Sequence, residues 1–403
     1  MYSIPACRAA AGRGIVERSR ENREGALGGV TQPIRVLELL VTTSAGGGPK
    51  HVWDLVQHLP RNEFELVIGA PHDGIFFDRF RDRGLEVVEF PLRRLSARHF
   101  ALTRGLISRL GIDVVHTHGK GPGLYGRTVA RWMRVPAIHT FHGLHYSGYS
   151  PLGRHLYLAL ERQLSRWSHT IINVSRSQHL EGLGLRLFRP EQGVVIVNGV
   201  DIEDMERAVL EAPIRRESLG LTADDVVIGC ISRFDPIKRI ELLVEALRRL
   251  RVRFPRLALV LVGGGGEQQR IRRLVFESGL SEQVIFTGFL ENPARIQPVL
   301  DLYVASSRKE GLPLSILEAM AAGLAVVATD APGHRYVVVP GETGLLVPPE
   351  DPAALAEAVA ALLTDPARRK NLGQAGRERV RQEFSIRAMV DRTAAAYRRA
   401  ARE

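Results

Sequence analysis

The sequence predicts an α/β protein made of two doubly wound domains with parallel sheets. Three observations predict it. Short apolar runs alternate with helix-length amphipathic stretches along nearly the whole chain, the pattern of repeated strand–helix–strand units. The 403 residues exceed what one typical core organises, so two domains are expected. The hydrophobic fraction of 45% is that of an ordinary globular protein, and no apolar run reaches the ~18 residues that a membrane-spanning helix needs.

In the first half, strands are expected at Ile34–Val41, Phe64–Ile68, Glu86–Phe90, Val114–His116, Ala137–Phe141, Thr170–Val174 and Val194–Val197. Helices are expected at Pro49–Leu59, Phe100–Leu110, Gly123–Trp132, Leu152–Trp167 and Ser175–Gly182, the last opened by Ser175 as N-cap. In the second half, strands fall at Val226–Ile231, Ala258–Val262, Val284–Phe286, Leu302–Ala305, Ala325–Ala328 and Gly344–Val347. Helices fall at Ile240–Arg251, Glu267–Gly279, Pro293–Val299, Pro313–Ala322, Pro352–Leu363, Pro366–Glu383 and Ile386–Ala401. The Asn198-Gly199 turn signal marks the boundary. The expected organisation is an N-terminal extension over 1–32, a first domain over 33–200, a second over 201–385 and a terminal helix over 386–403.

Composition narrows the function. The first 200 residues hold 26 Lys+Arg against 16 Asp+Glu, whereas residues 201–403 hold 29 against 28. The basic first half suits an anionic lipid surface or a pyrophosphate-linked substrate. No helix-turn-helix, zinc or RNA-binding aromatic pattern appears, so nucleic acid is not an expected partner. Two cysteines, Cys7 and Cys230, make no disulfide framework and fit a reducing compartment. The extension lacks the apolar core of a secretory signal. A cytoplasmic protein, held at most peripherally on a membrane, is expected.

The candidate chemistry lies at strand ends. Residues 308–323 read RKEGLPLSILEAMAAG. Here Glu310 closes a loop, Gly311, Leu312 and Pro313 open a helix, and Glu318 lies within it. Free N–H groups at such a helix start form an anion site, and flanking carboxylates can hold ribose or sugar hydroxyls. Gly46-Gly47-Gly48 follows the first strand and allows close backbone approach to a ligand. His142, followed by Gly143, stands at the end of the fifth strand; His139, His142 and His145 recur every third residue, but that spacing alternates faces on a strand and argues against a metal cluster. Arg233 and Lys238 bracket a Pro-containing turn, two cations fit to take up diphosphate charge. A glycine turn at Gly263 ends a later strand.

In their order, these motifs resemble the retaining glycosyltransferases of family 4, with its GT-B fold of two Rossmann-like domains facing across a cleft. The resemblance covers roughly residues 34–395 and is carried mainly by Glu310 and Glu318 as an E-x7-E pair. Ser232 and Arg239 depart from the family pattern, standing where glycine is common. The resemblance implies that Gly47 and Gly48 lie beside the donor diphosphate and the acceptor, that Gly263 lies near the diphosphate or the nucleobase, and that His142 contacts the donor sugar or the reaction centre. It implies catalytic roles for His142, Arg233, Lys238 and Glu310, with Gly311, Leu312, Pro313 and Glu318 binding the donor. It also implies a last helix that crosses back to the first domain. The expected reaction moves a hexosyl or N-acetylhexosaminyl unit from a UDP- or GDP-linked sugar to a sugar or lipid-linked acceptor, in cell-surface polysaccharide, lipopolysaccharide or glycolipid assembly. No D-x-D motif is present, so no divalent metal and no other cofactor is expected. Residues 146–154 are the stretch expected to face a membrane. A nucleotide-sugar epimerase of similar fold, or a non-catalytic binding protein, would share this architecture.

Overall fold

The computed structural model describes residues 32–402 except 45, 91–95, 145 and 147; Cys7 and nearly all of the expected extension lie outside them. Two parallel sheets form the framework. The first contains β1 (Ile34–Leu40), β2 (Phe64–Ala70), β3 (Glu86–Glu89), β4 (Val114–His118), β5 (Ala137–Phe141), β6 (Thr170–Asn173) and β7 (Gly193–Val195), in the order β3-β2-β1-β4-β5-β6-β7. The second contains β8 (Val226–Ile231), β9 (Leu257–Val262), β10 (Val284–Gly288), β11 (Leu302–Ala305), β12 (Val326–Thr329) and β13 (Leu345–Val347), in the order β10-β9-β8-β11-β12-β13. Each expected strand is present within a few residues. The central strands β8, β9 and β11 read as nearly unbroken apolar runs because helices cover both faces of a parallel sheet, whereas β1, β4 and β5 carry buried polar residues such as Glu38, His116 and Thr140.

In the first lobe the helices are α1 (Gly47–His58), α2 (Ile75–Asp82), α3 (Ala97–Leu110), α4 (Lys120–Met133), α5 (Pro151–Arg166) and α6 (Arg176–Gly184). Ser175 caps α6 as expected, its hydroxyl accepting from the Gln178 N–H. The second lobe carries α7 (Ile202–Glu211), α8 (Glu241–Leu250), α9 (Gln268–Glu277), α10 (Leu314–Ala321), α11 (Pro332–Val337), α12 (Pro352–Leu363) and α13 (Pro366–Glu383). The last helix, α14 (Ile386–Arg402), buries Met389, Val390, Ala394 and Tyr397 against Val36, Leu40 and Val114 of the first sheet.

Three details differ from the sequence expectation. Helices α2 and α11 fall in stretches that the periodicity left unassigned, and α7 in a charged stretch read as helical without a clear apolar face. Pro293–Val299 is a 3₁₀ helix rather than an α-helix, with Pro298 inside it and unable to donate to the ladder. Pro313 is the N-cap of α10, in extended conformation, instead of its first helical residue.

Both sheets reverse their strand order between two central strands, β1/β4 in the first and β8/β11 in the second. Ligands of doubly wound sheets bind beyond the carboxyl ends of strands at such a switch point. Those four strands end at the Gly46–Gly48 loop, at His118, at Ser232-Arg233 and at the Ser306–Glu310 loop. The chain crosses between lobes twice, and the two crossings touch: Val200 N–H donates to the Phe384 carbonyl at 2.9 Å, and Val200 and Ser385 form an isolated bridge.

Candidate functional site

The two switch points face one cleft of about 2590 Å³ between the lobes. Gly47, Gly48 and His142 line it from the first lobe; Arg233, Lys238, Gly263, Glu310, Gly311, Leu312, Pro313 and Glu318 line it from the second. These eleven residues, the ones expected to bind substrate or act in catalysis, thus line a single hollow.

Glu310 and Lys238 form its most intimate pair. The Lys238 ammonium lies 2.5 Å from Glu310 Oε1, and the Ser307 hydroxyl donates to the same oxygen at 2.8 Å. Burial works against a charge on Glu310, but Lys238 and Ser307 outweigh it and hold the carboxyl below its ordinary range. Gly333 packs so closely that a Cβ there would meet the Glu310 Cβ at 2.7 Å. Arg233 lies farther out: its guanidinium is 61% exposed and pairs with Asp235 at 3.0 Å. The loop beneath it is fixed by Gly263, whose φ is +121° and whose hypothetical Cβ would sit 2.0 Å from the Ser232 carbonyl oxygen. Only glycine fits there.

Glu318 faces Lys50 and Asp54 of α1. Burial pushes its carboxyl up to about 7, with Lys50 opposing and Asp54 adding to the rise. Lys50 is itself ion-paired to Asp54. Sequence reasoning assigned neither of these first-lobe groups a role, although Lys50 stands two residues after Gly48, at a helix start where a cation is out of place unless it has a partner.

His142 lies at the meeting of the lobes. A Cβ on Gly48 would touch its ring at 3.5 Å, and a Cβ on Gly311 would approach its carbonyl oxygen at 3.2 Å. Its Nε2 lies 2.9 Å from His118 Nδ1, and His118 Nε2 lies 2.8 Å from Glu38 Oε2. Burial, with His118 and His51 crowded against it, holds the His142 imidazole well below its ordinary pKa and so neutral. His139 points elsewhere, with its Nδ1 2.7 Å from the Thr117 hydroxyl, while His145 lies outside the described residues. Glu38, His116 and His118 do offer ligand atoms within 4.8 Å of one another. Those atoms are engaged with each other and with the Tyr397 and Thr140 hydroxyls, so the cluster reads as a closed hydrogen-bond network.

Residues 45–204 match the family described as Glycosyltransferase Family 4, and residues 211–379 match Glycosyl transferases group 1. EpsD of Bacillus subtilis (strain 168), named as a glycosyltransferase, is 31% identical over 306 residues, which span 73% of this chain and 80% of EpsD. The chain belongs to the family 4 glycosyltransferases. Another relative of this glycosyltransferase is the D-inositol 3-phosphate glycosyltransferase of Jonesia denitrificans, 30% identical over 68% of each chain. The crystal structure of Anabaena HepE in complex with UDP and glucose superposes with a TM-score of 0.78 at 22% identity, covering 90% of this chain and 99% of HepE. WaaG, described as a glycosyltransferase involved in lipopolysaccharide biosynthesis, superposes with a TM-score of 0.72 at 15% identity, over 90% and 99% of the two chains. The fold is GT-B.

Tyr146, the first residue of the 146–154 stretch, lies at the cleft rim, where its hydroxyl donates to Glu181 at 2.6 Å and the Lys309 ammonium lies 5.4 Å from its ring centroid. It braces the lobes, because a phenol between a carboxylate and an ammonium satisfies both. Ser147 lies outside the described residues.

Proposed function

We propose that this glycosyltransferase transfers a sugar, with retention, from a nucleoside-diphosphate sugar (UDP- or GDP-linked) to an acceptor hydroxyl in cell-surface polysaccharide or glycolipid assembly. The observation that carries the reading is the Lys238–Glu310 pair set against the start of α10, with the neutral His142 opposite. In the reaction, the bond from the anomeric carbon to the diphosphate oxygen breaks and a bond to the acceptor oxygen forms on the same face. The acceptor proton passes to the departing phosphate. Lys238, Arg233 and the free N–H groups before α10 take up the charge on that phosphate, without calling on a divalent ion. Glu310 positions the sugar, Glu318 holds the ribose hydroxyls, and an uncharged His142 does not repel a developing oxocarbenium. HepE, which binds UDP and glucose, supports the choice of donor class. The transferred unit is a hexose or N-acetylhexosamine.

The first lobe also suggests where the reaction takes place. Across α3, α4 and α5 the only acidic residue is Glu161, and it is buried against Arg127 at 2.8 Å. On the same helices Trp132, Leu152 and Leu156 are exposed by 66%, 69% and 60%. Exposed apolar side chains among unopposed arginines fit an anionic membrane surface, and a lipid-linked acceptor would be met there. Among the described residues no helix is long and apolar enough to cross a membrane.

A screen of nucleotide sugars for diphosphate release, with the product anomer read by NMR, tests the proposal. Lys238→Ala and Glu310→Gln are expected to lower turnover by about a hundredfold or more while thermal melts stay cooperative. Activity should survive EDTA. Product of inverted configuration, or full activity in both variants, would overturn it. Donor consumption without acceptor would point to an epimerase.

A further inference from the structure

We infer that Glu38, acting through His118, fixes the tautomer of His142 so that its Nε2 carries the proton and its Nδ1 is left as an uncharged acceptor for a substrate hydroxyl. This rests on the proposed role of the cleft, but its geometry is a property of the protein alone. Glu38 lies in β1, one of the two strands at the switch point of the first sheet, and is fully buried. A buried carboxylate persists there only if donors surround it. The Tyr397 hydroxyl donates to Oε1 at 2.5 Å, and His118 Nε2 lies 2.8 Å from Oε2. Burial alone would raise the Glu38 pKa, but His116 and His118 outweigh it and keep the group ionised.

An ionised carboxylate can only accept. His118 must therefore place its proton on Nε2. Burial depresses the His118 pKa to about 4, so the ring is neutral and its Nδ1 is a bare lone pair. The atom facing that lone pair, at 2.9 Å, is His142 Nε2. It must donate, which leaves Nδ1 of the neutral His142 ring without a proton. Among the described residues nothing hydrogen-bonds to this Nδ1, and the ring is one wall of the cleft. The direction of every bond thus follows from one charge placed two side chains away. Glu38 and His118 are positioning residues; they act on substrate only through His142. The Tyr397 contact ties the same carboxylate to the last helix.

The test is long-range ¹H–¹⁵N correlation on the full chain labelled at histidine, recorded without donor, with His142→Asn assigning the signal. The wild type should show His142 protonated at Nε2. Glu38→Ala should convert it to a tautomer mixture and lower kcat by roughly ten- to a hundredfold, with little change in donor KM. Tyr397→Phe keeps the His118–Glu38 bond, so it should lower the Tm but leave the His142 pattern in place. A wild-type His142 protonated at Nδ1 would overturn the inference, even if Glu38 variants failed to fold. So would a pattern that moves as much in Tyr397→Phe as in Glu38→Ala. Because the spectrum is read without substrate, loss of the glycosyl-transfer reading would leave this result standing, and the reverse also holds.

Discussion

Glu318 is a carboxyl whose charge is costly in the free cleft, because its wall position strips water and Asp54 lies near. Its ordinary pKa lies near 4.5 and its folded value is about 7. In that window the folded state binds the extra proton, so this group's contribution to stability falls as pH rises through it. Donor binding should show the opposite trend, since ribose hydroxyls need the carboxylate as acceptor. Titration calorimetry with the nucleoside diphosphate from about pH 5.5 to about 8.5 should show affinity rising through roughly 7, and Glu318→Gln should flatten the curve. Gly263→Ala is a second test. Its positive φ and its contact with the Ser232 carbonyl should make the variant less stable by about 3 kcal/mol in urea melts, with the Arg233 turn displaced. The residues at strand ends were legible in the sequence because glycine and charge patterns persist over short windows. Glu38 was not. Its partners lie 80 and 359 residues away, and in the run IRVLELL it looks like a lone interruption of an apolar strand. Arg239, read as a departure from the family's glycine, takes a φ of +53°. The conformation that favours glycine is thus kept, and ion pairs to Glu241 and Glu350 hold the arginine in it.

At the scale of elements, the strands were legible because parallel sheets buried on both faces leave mostly apolar runs. Helix α2 escaped because it is only eight residues long, although Phe76, Phe77 and Phe80 mark its buried face. Helix α11 escaped because Pro332 and His334 carry no apolar period. The exposed face of α5 was only half visible. Leucines at 152, 156 and 160 repeat at helical spacing, and a sequence alone assigns such a stripe to a core. The structure turns these three outward, while Leu158 and Leu164 face inward. Vesicle flotation addresses the consequence. The wild type should bind vesicles containing phosphatidylglycerol and not neutral phosphatidylcholine vesicles, and the double substitution Leu152→Glu, Leu156→Glu should reduce binding about tenfold at moderate salt without changing the Tm. Equal binding by wild type and variant would remove this face from consideration.

At the scale of the molecule, two lobes are joined where residues 199–200 pass residues 384–386. A Cβ on Gly199 would lie 2.4 Å from the Ile386 Cα, so the crossings are in backbone contact. Gly199→Val should push them apart. Expected results are a lower Tm, slower turnover, and small-angle scattering that no longer contracts when nucleotide is added. The Asn198-Gly199 pair was legible as a turn, but its contact with a segment almost two hundred residues later was not.

That contact has a mechanical meaning. Like two ropes knotted at one spot, neither lobe can slide along the other without tearing the Val200–Phe384 bond. Gly48, His142 and Gly311 therefore meet across the cleft in a registry that the crossing itself helps to set.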